Sequence, residues 1–183
     1  MKARPSQEKD FTGSLDIVDL ILHDHQPLKE LIEVMKDDEA TFREKKEAFL
    51  EFAPTLVAHA KPEEQTWYLK MKEGKDMVVE GLEGDVEHGL ADQLCEELKR
   101  TTDQDLFMAK VKVLAELVQH HIEEEEEEML PEFRKKTSSE MRGELGQRYL
   151  QLQAEIEEMG GDDAPHERLM RLKSGVTTSD YRH

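Results

Sequence analysis

His59 and Glu63 stand four residues apart in the chain, and so do His121 and Glu125. Four residues are about one helical turn, so on a helix each pair sets an imidazole and a carboxylate on one face. His25 and His88 extend the histidine series, with successive members separated by roughly thirty residues, the length of one helix and its turn. Four helices that each deliver one imidazole to a common region make a four-helix bundle with nitrogen and oxygen donors inside. That is the chemistry of a metal site, here with enough donors for two ions.

The apolar residues support this placement. A helix advances about 100° per residue. On the segment carrying His121, the stripe Phe107, Val111, Leu114, Val118, Ile122, Met129 includes His121 and Glu125, while His120 projects away. Val18, Ile21, Leu22 and Ile32 flank His25, with His23 opposite; Phe52, Leu56 and Trp67 share a face with His59 and Glu63, with Glu64 turned outward. His88 lies less cleanly among Met77, Gly81, Cys95 and Leu98, near Asp85 and Asp92. One histidine on an apolar face is ordinarily a hydrogen-bonded core residue, and one His-x-x-x-Glu pair is ordinarily a surface contact worth about 0.2–0.5 kcal/mol. Two buried glutamates beside four buried histidines are different, because unpaired buried charge is strongly disfavoured and a cation pair neutralises it.

Period-two apolar runs are missing and apolar residues recur at three- and four-residue steps, so the chain reads as all-α. Residues 1–13 read as a flexible lead. Ser14 is a candidate cap for a helix over 14–36, and a second helix over 40–72 should be kinked or divided by Pro54 and Pro62. A third helix covers 76–100. Thr102 with Asp105 resembles a capping box opening a fourth, over 103–130, which stops at Pro131. Thr137 with Glu140 opens an additional C-terminal helix within 134–160, ending at Gly160-Gly161, and 161–183 form a tail. The run Glu123–Glu128 reads as a solvated acidic face in which only Glu125 points inward and Glu126 sits at the rim. Gly81 and Gly84 either permit close helix packing or leave room for a small molecule; the methionines read as core filler.

Charged residues are 37% of the chain and the net charge is −18, which disfavours nucleic acid and anionic membranes as partners. No apolar run approaches the roughly 20 residues that span a bilayer, and the start of the chain lacks an apolar signal segment. Cys95, the single cysteine, excludes an internal disulfide and cysteine-rich metal sites and reads as a small buried hydrophobe. A cytoplasmic location is the simplest expectation. Glu-x-x-His pairs of ferritin-like bundles, the His-Glu-x-x-His zinc signature and phosphate-binding glycine loops are absent.

The segments Leu22-His23-Asp24-His25, His59-Ala60-Lys61-Pro62-Glu63-Glu64, Glu87-His88 and His121 to Glu126, followed by Met129-Leu130-Pro131, resemble the hemerythrin-like (HHE cation-binding) family over residues 14–133. The resemblance implies an up-down-up-down four-helix bundle around a non-haem, oxo- or hydroxo-bridged pair of iron ions. Its ligands would be His25, His59, His88 and His121, with Glu63 and Glu125 bridging. Oxygen-carrying members have a further histidine where this chain has Asp92. Unless Asp92 binds, positions on two six-coordinate irons remain open. This ligand set is more like the branch associated with nitric-oxide stress, iron–sulfur repair or peroxide removal, although the cysteine-bearing N-terminal domain of some repair members is lacking.

Imidazole and carboxylate donors also suit manganese or zinc. With iron, the expectation is a protein that binds or reduces O2, NO or peroxide in oxidative or nitrosative defence, drawing electrons from a reductant. An apolar lining of Val18, Leu22, Leu56, Leu114 and Val118 would exclude water. Two alternatives stand beside it: a reversible O2 binder or sensor, and an iron store or sensor acting through a partner protein.

Overall fold

The structure, a computed structural model, describes residues 15–159, and every regular element among them is helical. The order is α1 (Ile17–Lys36), α2 (Phe42–Gln65), α3 (Trp67–Glu73), α4 (Val78–Arg100) and α5 (Gln104–Glu124). A π-helical turn (Glu125–Met129), α6 (Leu130–Lys136) and α7 (Ser139–Met159) follow. In the helical bundle α1 packs on α2 and α5, α4 packs on α5 and on α3, and α7 lies against α2 and α1. No helix of the described residues is long and apolar enough to cross a membrane.

The helix ends follow local chemistry, often one residue from the expected place. Ser14 lies outside the described residues, as do Gly160-Gly161 and the tail; α1 is capped by Asp16, whose carboxylate accepts from Val18 N at 3.0 Å. Thr41 and Glu44 form a full capping box on α2. Asp103, not Thr102, caps α5, because its carboxylate reaches Leu106 N at 2.8 Å. Ser138, not Thr137, accepts from Met141 N at the start of α7, since the Thr137 hydroxyl is committed to Phe133 O at 2.6 Å.

The prolines act differently from expectation. The second helix is divided, but at Thr66 rather than at Pro54 or Pro62, both of which lie inside α2. Pro62 has no N–H for the Ala58 carbonyl one turn back. Gln153 of α7 reaches that carbonyl at 3.5 Å, and Thr66 Oγ1 donates to Pro62 O at 2.6 Å where α2 ends. Pro131 does not stop the fourth helix. The π turn just before it widens the spiral, and the chain continues as α6 with Pro131 in its first turn, where a missing N–H costs least.

Two apolar clusters fill the interior. One gathers Leu28, Ile32, Phe52, Leu56, Cys95, Leu114, Val118 and Ile122; the other gathers Ile17, Ile21, Trp67, Tyr68, Met77, Leu130, Phe133 and Tyr149. Along α1, α2, α4 and the run from α5 into the π turn, the buried histidines and glutamates fall at or near the place where one cluster gives way to the other. His25 lies between Ile21 and Leu28, His59 and Glu63 between Leu56 and Trp67, His88 between Met77 and Cys95, and Glu125 between Ile122 and Leu130. α7 comes so close to the chain ahead of α1 that a Cβ on Gly146 would meet Leu15 O at 1.8 Å, and Arg142 Nε bonds Asp16 Oδ2 at 2.6 Å there.

Candidate metal centre

His25, His59, Glu63, His88, His121 and Glu125 are all at most 3% exposed and meet in the layer between the two clusters. Single donor atoms of His25, His59, Glu63 and Glu125 lie within 4.8 Å of one another; so do those of His88, His121 and Glu125. Glu125 belongs to both groups, with Oε2 3.1 Å from His25 Nε2 and Oε1 3.3 Å from His121 Nε2. Glu63 Oε2 likewise faces two histidines, His59 Nε2 at 3.2 Å and His88 Nε2 at 3.7 Å. The structure therefore brings together all six residues that the sequence placed inward, and it leaves His23 and His120 on the outside.

All four Nε2 atoms face the middle, and all four Nδ1 atoms face outward to oxygen. His25 Nδ1 lies 2.8 Å from Glu126 Oε1, and His121 Nδ1 2.6 Å from Glu87 Oε2. His88 Nδ1 is 3.3 Å from Glu64 Oε1, without hydrogen-bond alignment, and His59 Nδ1 is 3.4 Å from Tyr149 Oη. An oxygen partner on one ring nitrogen fixes tautomer and orientation and leaves the other nitrogen free to bind a metal. Lys29 in turn holds Glu126 at 2.6 Å, and Lys61 lies between Glu64 (3.2 Å) and Asp92 (2.9 Å). Asp92 is thus engaged by Lys61 and stands in neither donor group.

The protein alone leaves this layer unsatisfied. His59 Nε2 and both Glu63 oxygens are buried without a hydrogen-bond partner, a situation that costs about 1–3 kcal/mol per group and more for a charge. Burial, reinforced by the Glu125 and Asp24 charges, pushes the Glu63 carboxyl well above its usual range. Burial and the neighbouring His25 push His59 well below its own. Burial would also raise Glu125, but His121 and His25 outweigh it and hold the carboxyl well down. Against burial, Glu125 and Glu87 lift His121 to about 10. Imidazole nitrogens, carboxylate oxygens and orphaned buried atoms aimed at a common point fit one or more hard-to-borderline metal cations.

Sequence reasoning missed four contributors. Tyr68, fully buried, places Oη against Glu125 Oε1, 3.0 Å from His121 Nε2 and 3.5 Å from His88 Nε2. Tyr149 donates to Asp24 Oδ2 at 2.9 Å and closes over His59. Glu87 and Glu64 serve His121 and His88. A signal for the two glutamates was present: Glu64 and Glu87, like Asp24 and Glu126, each sit next in sequence to an inward residue. One step around the helix turns a side chain about 100° from the bundle centre toward the neighbouring helix. The space beside Gly84 is taken by protein, since a Cβ there would lie 2.5 Å from Tyr68 Cζ.

Compared with known families, residues 16–133 match the hemerythrin HHE cation-binding domain, well over half of the chain and the whole span that carries the six residues. Comparison with curated proteins and with solved structures gives no match. Together with the buried histidine–glutamate layer, the match establishes that this chain belongs to the hemerythrin HHE cation-binding family.

Proposed function

We propose that the chain is a non-haem di-iron protein that binds or reduces O2, NO or peroxide, working in the cytoplasm in oxidative or nitrosative defence. The observation that carries this reading is the pair of donor groups sharing Glu125. His25 and His59 would hold one ion, His88 and His121 the other, with Glu63 and Glu125 between them. Held there, a pair of iron(II) ions would be a source of two electrons for a small molecule bound between these residues. The up-down-up-down bundle over 14–133 supplies the donors, and α7 belongs to the same working unit because Tyr149 and Gln153 reach α1 and α2.

The chain's own groups prepare that chemistry. Burial of all six donors keeps bulk water away from the centre. The Lys29–Glu126–His25 chain of contacts runs from the surface to a donor ring and offers a path for protons. Glu126 lines two surface grooves, about 590 and 350 Å3, along which a small reductant can approach.

The same burial favours a second reading, a reversible O2 binder or sensor, because a closed site also protects a bound molecule from further reaction. Metal analysis with anaerobic absorption spectra, before and after adding O2, NO or peroxide, separates them. Two irons per chain with rapid consumption of NO or peroxide supports the first. Two irons with an oxygenated spectrum that reverses under vacuum supports the second, and one zinc per chain overturns both.

A further inference from the structure

The two donor groups are unequal. The one around His25 has four residues, His25, His59, Glu63 and Glu125; the one around His88 has three, His88, His121 and Glu125. Tyr68 stands where a fourth donor of the poorer group would be. Its Oη lies against Glu125 Oε1, 3.0 Å from His121 Nε2 and 3.5 Å from His88 Nε2, while those two nitrogens are 3.0 Å from each other. Metal–donor bonds of about 2.1 Å place neighbouring donors of an octahedron about 3.0 Å apart. The three atoms thus have the spacing of ligands around one ion.

Local structure holds the phenol there. The break at Thr66 separates Tyr68 from the helix carrying His59 and Glu63 and starts the seven-residue α3. On the facing helix α4, Gly84 leaves the gap through which the ring passes, because any Cβ there would collide with Cζ and Oη. Tyr149, the other tyrosine at the centre, is a natural contrast. Its hydroxyl faces Asp24 and the outward Nδ1 of His59, not an inward Nε2.

We infer that Tyr68 is a ligand to the ion held by His88 and His121, which makes the two metal positions chemically different. The inference rests on the di-iron reading above. Coordination exchanges the phenol O–H for an O–metal bond, and the proton leaves to solvent. With its charge met by the cation, the phenolate sits in a place where burial and the Glu125 and Glu63 charges otherwise keep the hydroxyl protonated.

The test uses the full chain loaded with iron(II) and then oxidised in air. A phenolate bound to iron(III) gives a visible charge-transfer band, and excitation into it enhances tyrosine ring vibrations in the Raman spectrum. The expected result is such a band in the wild type, shifted vibrations in protein grown on ring-deuterated tyrosine, loss of the band in Tyr68→Phe with iron retained, and persistence in Tyr149→Phe. If Tyr68→Phe holds no iron, the isotope shift in the wild type and its survival in Tyr149→Phe support the assignment. Two irons per chain without the band, or a band that survives Tyr68→Phe or vanishes only in Tyr149→Phe, overturns Tyr68 ligation and leaves the di-iron reading standing. A chain that binds no iron pair overturns both.

Discussion

His121 on α5 turns its Nδ1 onto Glu87 Oε2 of α4 at 2.6 Å, so Glu87 orients the ring that the neighbouring His88 meets through Nε2. Removing such an outer oxygen lowers metal affinity about 10–100-fold in other centres. Glu87→Gln should keep the fold and weaken iron binding by that factor, read in competition with a chelator. Unchanged affinity would mean that the contact does not orient the ring.

Gly84 and Gly89 lie on the same helix but in opposite circumstances. A Cβ at Gly84 lies 2.5 Å from Tyr68 Cζ, whereas one at Gly89 meets nothing within 4 Å. Gly84→Ala should destabilise by about 1–3 kcal/mol through overpacking and displace Tyr68. Gly89→Ala should stabilise by about 0.5–1 kcal/mol through helix propensity. Denaturant unfolding of the two variants gives shifts of opposite sign; equal shifts would contradict the close approach of α3 and α4.

The metal-free protein should take up iron with release of protons. Although burial opposes it, His121 is raised to about 10 by Glu125 and Glu87 and therefore carries its proton at neutral pH. A raised histidine stabilises the fold fully below its unfolded value near 6.5 and loses that contribution as pH rises toward about 10. A metal competes with the proton on Nε2, so each unit of pH below about 10 costs up to tenfold in affinity from this ring, about 1.36 kcal/mol. Calorimetric titrations in buffers of different protonation enthalpy should register release of about one proton or more at pH 7. Buffer-independent heats would remove His121 from the set of metal donors.

Glu63 is a liability without a cation, with both oxygens buried and unpartnered. Glu63→Gln should melt no earlier than wild type when both are metal-free, because the change removes a carboxyl that burial and nearby charge already disfavour in its ionised form. Its response to metal should nearly disappear, where wild type gains about 2.7 kcal/mol at a hundredfold excess over Kd. Scanning calorimetry with and without chelator reads both; a large loss in the metal-free variant would show that Glu63 supports the fold by itself.

The helices and the six inward residues were legible because helical period and burial act locally. His121 and Glu125 lie on the stripe of Val111, Leu114 and Val118, and that stripe is the buried one. Tyr68 was not legible, because its direction depends on the break at Thr66, and nothing local marks Thr66 over Pro54 or Pro62 as the point of division. Tyr149 escaped because α7 meets α1 and α2 only through the tertiary fold. The passage through Pro131 was hidden for a related reason. Proline chemistry argues for a stop, and the π turn that relieves it is written in a run of glutamates with no signature of its own.

The histidine–glutamate layer divides the interior, so the two apolar cores have little oily surface in common across it. A bundle built this way has a polar seam where most bundles have continuous packing, and an ion pair would be the rivet through that seam. Take the rivet out, and the ends nearer Phe52 and nearer Trp67 gain freedom to loosen separately, so amide exchange in the emptied protein should report two melting bodies where the loaded protein reports one.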